Sequence, residues 1–234
     1  MRVQDDRSLL RGAVYRGDGG AVVALVHGQL WPDYALQLIG DGLLAALPRH
    51  IEHAAVVATD CVRRLRDRGW NGDDELADQI EALLVTGARP LLRRLPVELD
   101  ELAGLLEGDQ EGGGGRIDVQ TGELWHRAAI EYLHQCGEED PDGSDDPGRW
   151  LWVDTVGSRA GYRDMQEFID TITDPERAER LGIAIQGRGA FRRFKDVLAR
   201  WPVELDRWYA FTEERQRGRA RAWLAEAGYV SSRP

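Results

Sequence analysis

Residues 112–115, four glycines in succession inside a glycine-rich stretch from 108 to 115, constrain this chain more than any other feature. Glycine loses more backbone freedom on ordering than any other residue, so such a run interrupts regular structure and reads as a linker. The pattern of apolar residues changes across it. Before it the period is that of a helix, and after it an alternating texture appears. Three segments follow: a helical N-terminal domain over 1–107, the linker over 108–115, and a C-terminal domain over 116–234.

In the first segment Leu9, Leu10, Ala13 and Val14 predict one helix, and Tyr34, Leu36, Leu38, Ile39, Leu43 and Leu44 a second. A third carries Ile51, Ala54, Ala55, Ala58, Val62 and Leu65 and is stopped by Gly69. Asn71-Gly72-Asp73-Asp74 is a turn or cap ahead of Leu76, Ile80, Leu83 and Leu84, and Pro96 opens a short helix through Leu99, Leu102 and Leu106. Beyond the linker, Arg116-Ile117-Asp118-Val119 and Glu123-Leu124-Trp125 flank Gln120-Thr121-Gly122 and predict a β-hairpin. A helix over 128–135, an acidic loop over 137–148 and a strand at Trp150-Leu151-Trp152-Val153 come next. Helices complete the chain. One carries Tyr162, Met165, Phe168, Ile169 and Ile172; another starts at the cap Asp174-Pro175; a third presents Phe191, Phe194, Leu198 and Trp201 on one core face; the last runs from Pro202 to about Gly228. The expected class is α+β: an all-α N-terminal region, then a C-terminal domain with a small antiparallel β-sheet and about four helices.

Composition bounds function. A hydrophobic fraction of 42% with eight tryptophans excludes intrinsic disorder. Residues 159–234 hold 15 basic and 12 acidic side chains, a net of +3, while the chain holds 30 and 41; residues 1–158 therefore carry 15 and 29, a net of −14. Only the C-terminal part suits a polyanion. Lys195 is the only lysine, and arginine is spread over every segment. Cys61 and Cys136 have no CxxC partner, the polar start has no signal-type apolar stretch, and the longest apolar run, 21–26, is too short to span a bilayer. A reduced, cytoplasmic protein without membrane contact is expected.

Several elements together resemble the uncharacterised bacterial protein family 158. They are the hairpin from Arg116 to Glu123, Tyr162-Arg163-Asp164-Met165-Gln166-Glu167-Phe168-Ile169, and Gly187-Arg188-Gly189-Ala190-Phe191-Arg192-Arg193-Phe194-Lys195-Asp196. Arg207-Trp208-Tyr209-Ala210-Phe211, Glu214-Arg215 and Arg219-Ala220-Arg221-Ala222-Trp223-Leu224 complete the likeness over positions 115–229. The helical N-terminal half resembles the version of the family common in actinobacteria. The resemblance implies no activity.

The residues themselves point first to a non-catalytic binding protein. Basic and aromatic side chains interleave on the last helices, and Arg188, Arg192, Arg193, Lys195, Arg215 and Arg219 are the candidates for holding an anionic partner: nucleic acid, a nucleotide or an acidic protein. Arg215 and Arg219 fall near the buried side of the last helix, so Asp164, Glu167 or Asp170 are expected as their acidic partners. Glu213 and Arg217 read as a surface i,i+4 pair. A second reading makes Asp164, Glu167 and Asp170 a carboxylate cluster for Mg²⁺ in a phosphoesterase. A third makes the chain a protein-interaction scaffold, signalled by an exposed apolar patch on residues 30–47. The five histidines lack the third ligand of a zinc site, and no phosphate-binding GxxxxGK[ST] loop, GxSxG elbow or GxGxxG after a strand is present, so neither a metal nor a cofactor is expected. Oligomeric state has no signature in the sequence.

Overall fold

The computed structural model describes residues 3–84, 91–108, 113–136 and 148–232. The N-terminal helices are α1 (Val3–Tyr15), α2 (Gly19–Val26), α3 (Leu36–Ala46), α4 (Ala54–Arg68) and α5 (Asp73–Leu83). Their apolar faces meet in one core around Leu36, Ile39, Leu43, Leu65, Leu76 and Ile80, none more than 1% exposed. The helix α2 has no counterpart among the expected elements. Its apolar run is continuous rather than striped because Val22, Val23 and Val26 are all buried, and Asp18 caps it by accepting from the Ala21 N–H at 3.0 Å. His50 and His53 precede α4 in a turn where both take positive φ. The apolar residues of 30–47 are turned into the core as well; of their large side chains only Leu30 is exposed. The surface patch that a scaffold would present there is not formed.

Next come β1 (Arg93–Leu95), α6 (Leu99–Leu106), β2 (Gly115–Asp118), β3 (Leu124–His126), α7 (Arg127–Gln135) and β4 (Trp150–Val153). The sheet is antiparallel in the order β3-β2-β4, with Ile117 between Leu124 and Leu151. Asp118 closes the hairpin by accepting from the N–H groups of Gln120 and Thr121 and from Arg149. The acidic loop of the sequence reading falls, up to 147, outside the described residues. The remaining elements are α8 (Ser158–Asp170), α9 (Pro175–Ala184), α10 (Ala190–Leu198), α11 (Pro202–Glu226) and β5 (Tyr229–Ser231). The fold is α+β, with the antiparallel sheet and the helices α8 to α11 where the sequence places them. One addition was not foreseen: β5 pairs in parallel with β1, Arg93 opposite Tyr229. Both strands are three residues long and far apart in sequence, with no turn such as Gln120-Thr121-Gly122 between them to signal a pairing.

Two further cores flank the sheet and the helices. Leu95, Leu99, Leu102, Leu105, Ile117, Val153, Ala220 and Leu224 form one, so both sides of the glycine run contribute to it. Met165, Phe168, Leu181, Phe194, Leu198, Trp208 and Phe211 form the other, where Phe168 meets Trp208 edge-on at 5.2 Å.

The long helix α11 touches all three regions, and it does so with charge. Arg217 reaches Asp41 and Asp100 at 2.5 Å each, and Arg221 reaches Asp41 at 2.5 Å and Gln37 at 2.9 Å. Glu214 accepts from the Gln37 N–H and from Arg68, which also forks onto Asp73. The expected surface pair of Glu213 and Arg217 is not made. Arg217 is buried on α3, while Glu213 takes Arg7 and Arg11. Burial alone would push the Asp41 carboxyl up, but the Arg217 and Arg221 guanidiniums hold it below the ordinary range. At Glu214 burial outweighs Arg68 and the carboxyl is pushed up. Where α11 crosses the α4–α5 turn, glycine meets glycine. A Cβ on Gly218 would lie 2.1 Å from the Asn71 carbonyl oxygen, and one on Gly72 would lie 2.2 Å from the Gly218 oxygen.

Candidate functional site

The start of α8 and the start of α10 face each other across a cleft of about 640 Å³. Ser158, Arg159, Tyr162 and Arg163 line one side; Gly187, Gly189, Ala190 and Phe191 line the other, and among the described residues no acidic side chain lines either. Both helices begin at a glycine with positive φ, Gly157 and Gly189, without a side-chain cap or an acidic residue in the first turn. Their first N–H groups are therefore left to solvent or a ligand. Arg193 shapes the loop between α9 and α10. It donates to the carbonyls of Ala184 at 3.0 Å, Gln186 at 2.5 Å and Arg188, which ties the loop to the start of α10.

Arg159 and Arg163 stand one helical turn apart and make no ion pair among the described residues. For Arg163 the sequence offers Glu167 at the favourable i,i+4 spacing. Arg215 takes that carboxylate instead, at 2.7 Å, which leaves Arg163 without an ion pair among the described residues. The next residue on α8, Asp164, turns the other way. Arg219 bridges both of its oxygens at 3.1 and 2.9 Å, and Arg215 adds a third bond at 3.0 Å. A second, polar cleft of about 300 Å³ opens there between Trp70 and Asn71 on one side and Arg163, Asp164, Glu167 and Arg215 on the other. Arg163 lines both clefts.

The residues singled out in the sequence thus separate into groups. Arg188 is exposed on the loop beside the larger cleft, and Lys195 is exposed on α10; neither has an ion pair among the described residues. Arg192 is 90% exposed and reaches Asp196 at 3.9 Å. Arg193 serves backbone carbonyls, as above. Arg215 and Arg219 lie with Asp164 and Glu167, and Glu107 joins them at 2.6 Å from Arg219. Asp170 is exposed at the far end of α8, apart from that cluster. No three of His, Cys, Asp and Glu come together to hold a metal among the described residues.

Phe191 departs from the expected core stripe. Phe194 and Leu198 are fully buried, but Phe191 is 39% exposed and lies on the cleft, its ring edge over Gly161 of α8. Sequence reasoning missed Arg159, Arg163 and the cleft role of Phe191. The only available signal was that α8 carries arginine, not acid, in its first turn, against the preference of a helix N-terminus.

No helix among the described residues is long and apolar enough to cross a membrane. The Uncharacterised protein family (UPF0158) matches residues 137–231, which hold α8 to α11 and the whole of the larger cleft. The UPF0158 protein PA5073 of Pseudomonas aeruginosa is 29% identical over 135 residues, 58% of this chain and 85% of that protein. No solved structure matches the chain. Through its C-terminal region, which carries the cleft and the arginines of α11, the chain is similar to the Uncharacterised protein family UPF0158.

Proposed function

We propose that this protein is a non-catalytic binding module that holds an anionic partner in the α8–α10 cleft. One observation carries the reading: Arg159 and Arg163 face a cleft without acidic lining among the described residues, whereas the arginines of the α11 spine (Arg215, Arg217, Arg219, Arg221) are matched by buried carboxylates. Guanidinium forks and free helix-start N–H groups are both suited to phosphate or carboxylate. Arg188, between the lining glycines Gly187 and Gly189, and Lys195 on α10 add exposed positive charge on the same elements. Arg215 and Arg219 support the site from behind by fixing Asp164, and Arg193 holds the loop in shape.

Melting of the purified protein with and without millimolar pyrophosphate, together with anisotropy of labelled mixed-sequence RNA and DNA at low and physiological salt, tests this. The expected result is stabilisation or binding that weakens with salt and is lost in Arg159→Glu/Arg163→Glu at unchanged melting temperature. Absence of any anion effect at low salt refutes it. The alternative, a metal-dependent phosphoesterase on Asp164, Glu167 and Asp170, requires Asp164 to exchange two guanidiniums for a cation. Mg²⁺- or Mn²⁺-dependent turnover of a generic phosphodiester, lost in Asp164→Asn, would establish that alternative.

A further inference from the structure

We infer that the occupant of the α8–α10 cleft is a mononucleotide, a single planar base carrying one or two phosphates, rather than a strand of nucleic acid; the inference rests on the anion-binding reading above. The positive stretch is short. Along α8, Arg159 and Arg163 are followed at the next turn by Glu167 and then by Asp170, so the cationic strip spans one turn, about 6 Å of helix rise. On α10, Arg192 is followed one turn later by Asp196. A strand needs cations repeated along its path, one per few ångströms of backbone, and here the path meets carboxylates in both directions.

The aromatic content is also that of one base. Phe191 has its Cε1 only 3.0 Å from where a Cβ on Gly161 would stand, so the ring rests close over the α8 backbone. A larger residue at 161 would displace it. That contact is made by the ring edge, and Phe191, 39% exposed, lines the cleft together with Tyr162. A cleft of about 640 Å³ lies within the range of small-molecule sites. Phosphate on the Arg159 and Arg163 guanidiniums and base on Phe191 is the arrangement these residues allow: charge at one end, one π-face at the other.

Calorimetric titration of the full chain with adenosine and guanosine mono- and diphosphates, with pyrophosphate, and with a mixed-sequence decanucleotide tests this. The expected result is that at least one nucleotide binds about fivefold or more tighter than pyrophosphate, a margin that stacking on one ring supplies. Phe191→Ala should erase that margin while leaving pyrophosphate affinity unchanged, and Arg159→Glu/Arg163→Glu should lower both affinities about tenfold or more. If pyrophosphate binds as tightly as every nucleotide, or the margin survives in Phe191→Ala, the anion site stands and the mononucleotide assignment falls. If the decanucleotide outcompetes all mononucleotides, the assignment also falls, in favour of a strand. If no anion binds, both readings fall together.

Discussion

Replacing Gly218 with alanine tests how α11 is seated. Glycine in a helix interior is disfavoured by about 1 kcal/mol against alanine, so an isolated helix would gain from the change. In place, the new Cβ would stand 2.1 Å from the Asn71 carbonyl oxygen, where ordinary contact begins near 3.4 Å, a shortfall of 1.3 Å. Backbone opposes backbone at this point, so no side chain can swing aside. Either α11 or the 70–72 turn must withdraw by about that distance. Arg217 and Arg221 flank the contact, with bonds of 2.5 Å to Asp41 that such a shift would stretch. Overpacking alone costs ~1–3 kcal/mol, and loosening a buried charge pair adds to it, since full loss of one partner costs ~3–5 kcal/mol. After the helical gain is subtracted, a net loss of about 3 kcal/mol is expected, a fall in melting temperature of ~6–12 °C for a chain of this size. Urea unfolding and calorimetry of Gly218→Ala measure it. Gly104→Ala is the control, because that glycine sits exposed on α6 with nothing within 4 Å of its added Cβ, and it should be neutral or stabilising by up to ~1 kcal/mol. A Gly218→Ala protein as stable as the wild type, or more so, would refute the close crossing.

Asp41→Asn should cost ~3–5 kcal/mol, because it leaves two buried guanidiniums without their shared carboxylate. The Asp41 carboxyl is held low in the fold, so its contribution is present above about pH 4 and is lost as pH falls through the depressed folded value. The acid limb of unfolding should flatten in the variant. Glu214 has the opposite sign: its folded value is raised, so its contribution is full below about pH 4.3 and fades as pH rises through the folded value, and Glu214→Gln at neutral pH should cost less than Asp41→Asn. A maleimide should label the exposed Cys136 in the native protein within minutes and Cys61 only on unfolding, since Cys61 is buried and burial pushes its thiol up; mass spectrometry reads both sites. A protease site placed in 109–112 should, once cut, leave two fragments that co-elute on size exclusion even in 1 M salt, because buried pairs are little screened. Separation of the fragments would refute the joint role of α11.

Much of the fold was legible because it rests on local rules. Asp174-Pro175 announces α9, and the carboxylate does cap it, accepting from the Glu176 and Arg177 N–H groups. The hairpin was legible from alternation and a turn that Asp118 itself closes. What escaped depends on distant partners. Arg217 has a surface partner at i−4 in the sequence and a buried one 176 residues away, and only the tertiary structure decides between them. The cleft escaped for the same reason: Arg163 looks paired with Glu167 until Arg215 arrives from α11. Phe191 kept the spacing of the core stripe, yet it sits in the first turn of α10, above Gly161, where the core has already ended.

The arginines of α11 have a mechanical consequence. At positions 215 and 219 they point to α8, and at 217 and 221 they point to α3, so the helix is toothed on two opposite sides at the same pitch. Sliding by one turn, about 5.4 Å, would strand a tooth on each side in a dry setting, at several kcal/mol apiece. The helix therefore behaves as a rack that fits its two neighbours at a single position, not as a piston. A signal from the cleft can reach α3 only by loosening teeth, which would appear as faster amide exchange along α11 with no change in its place.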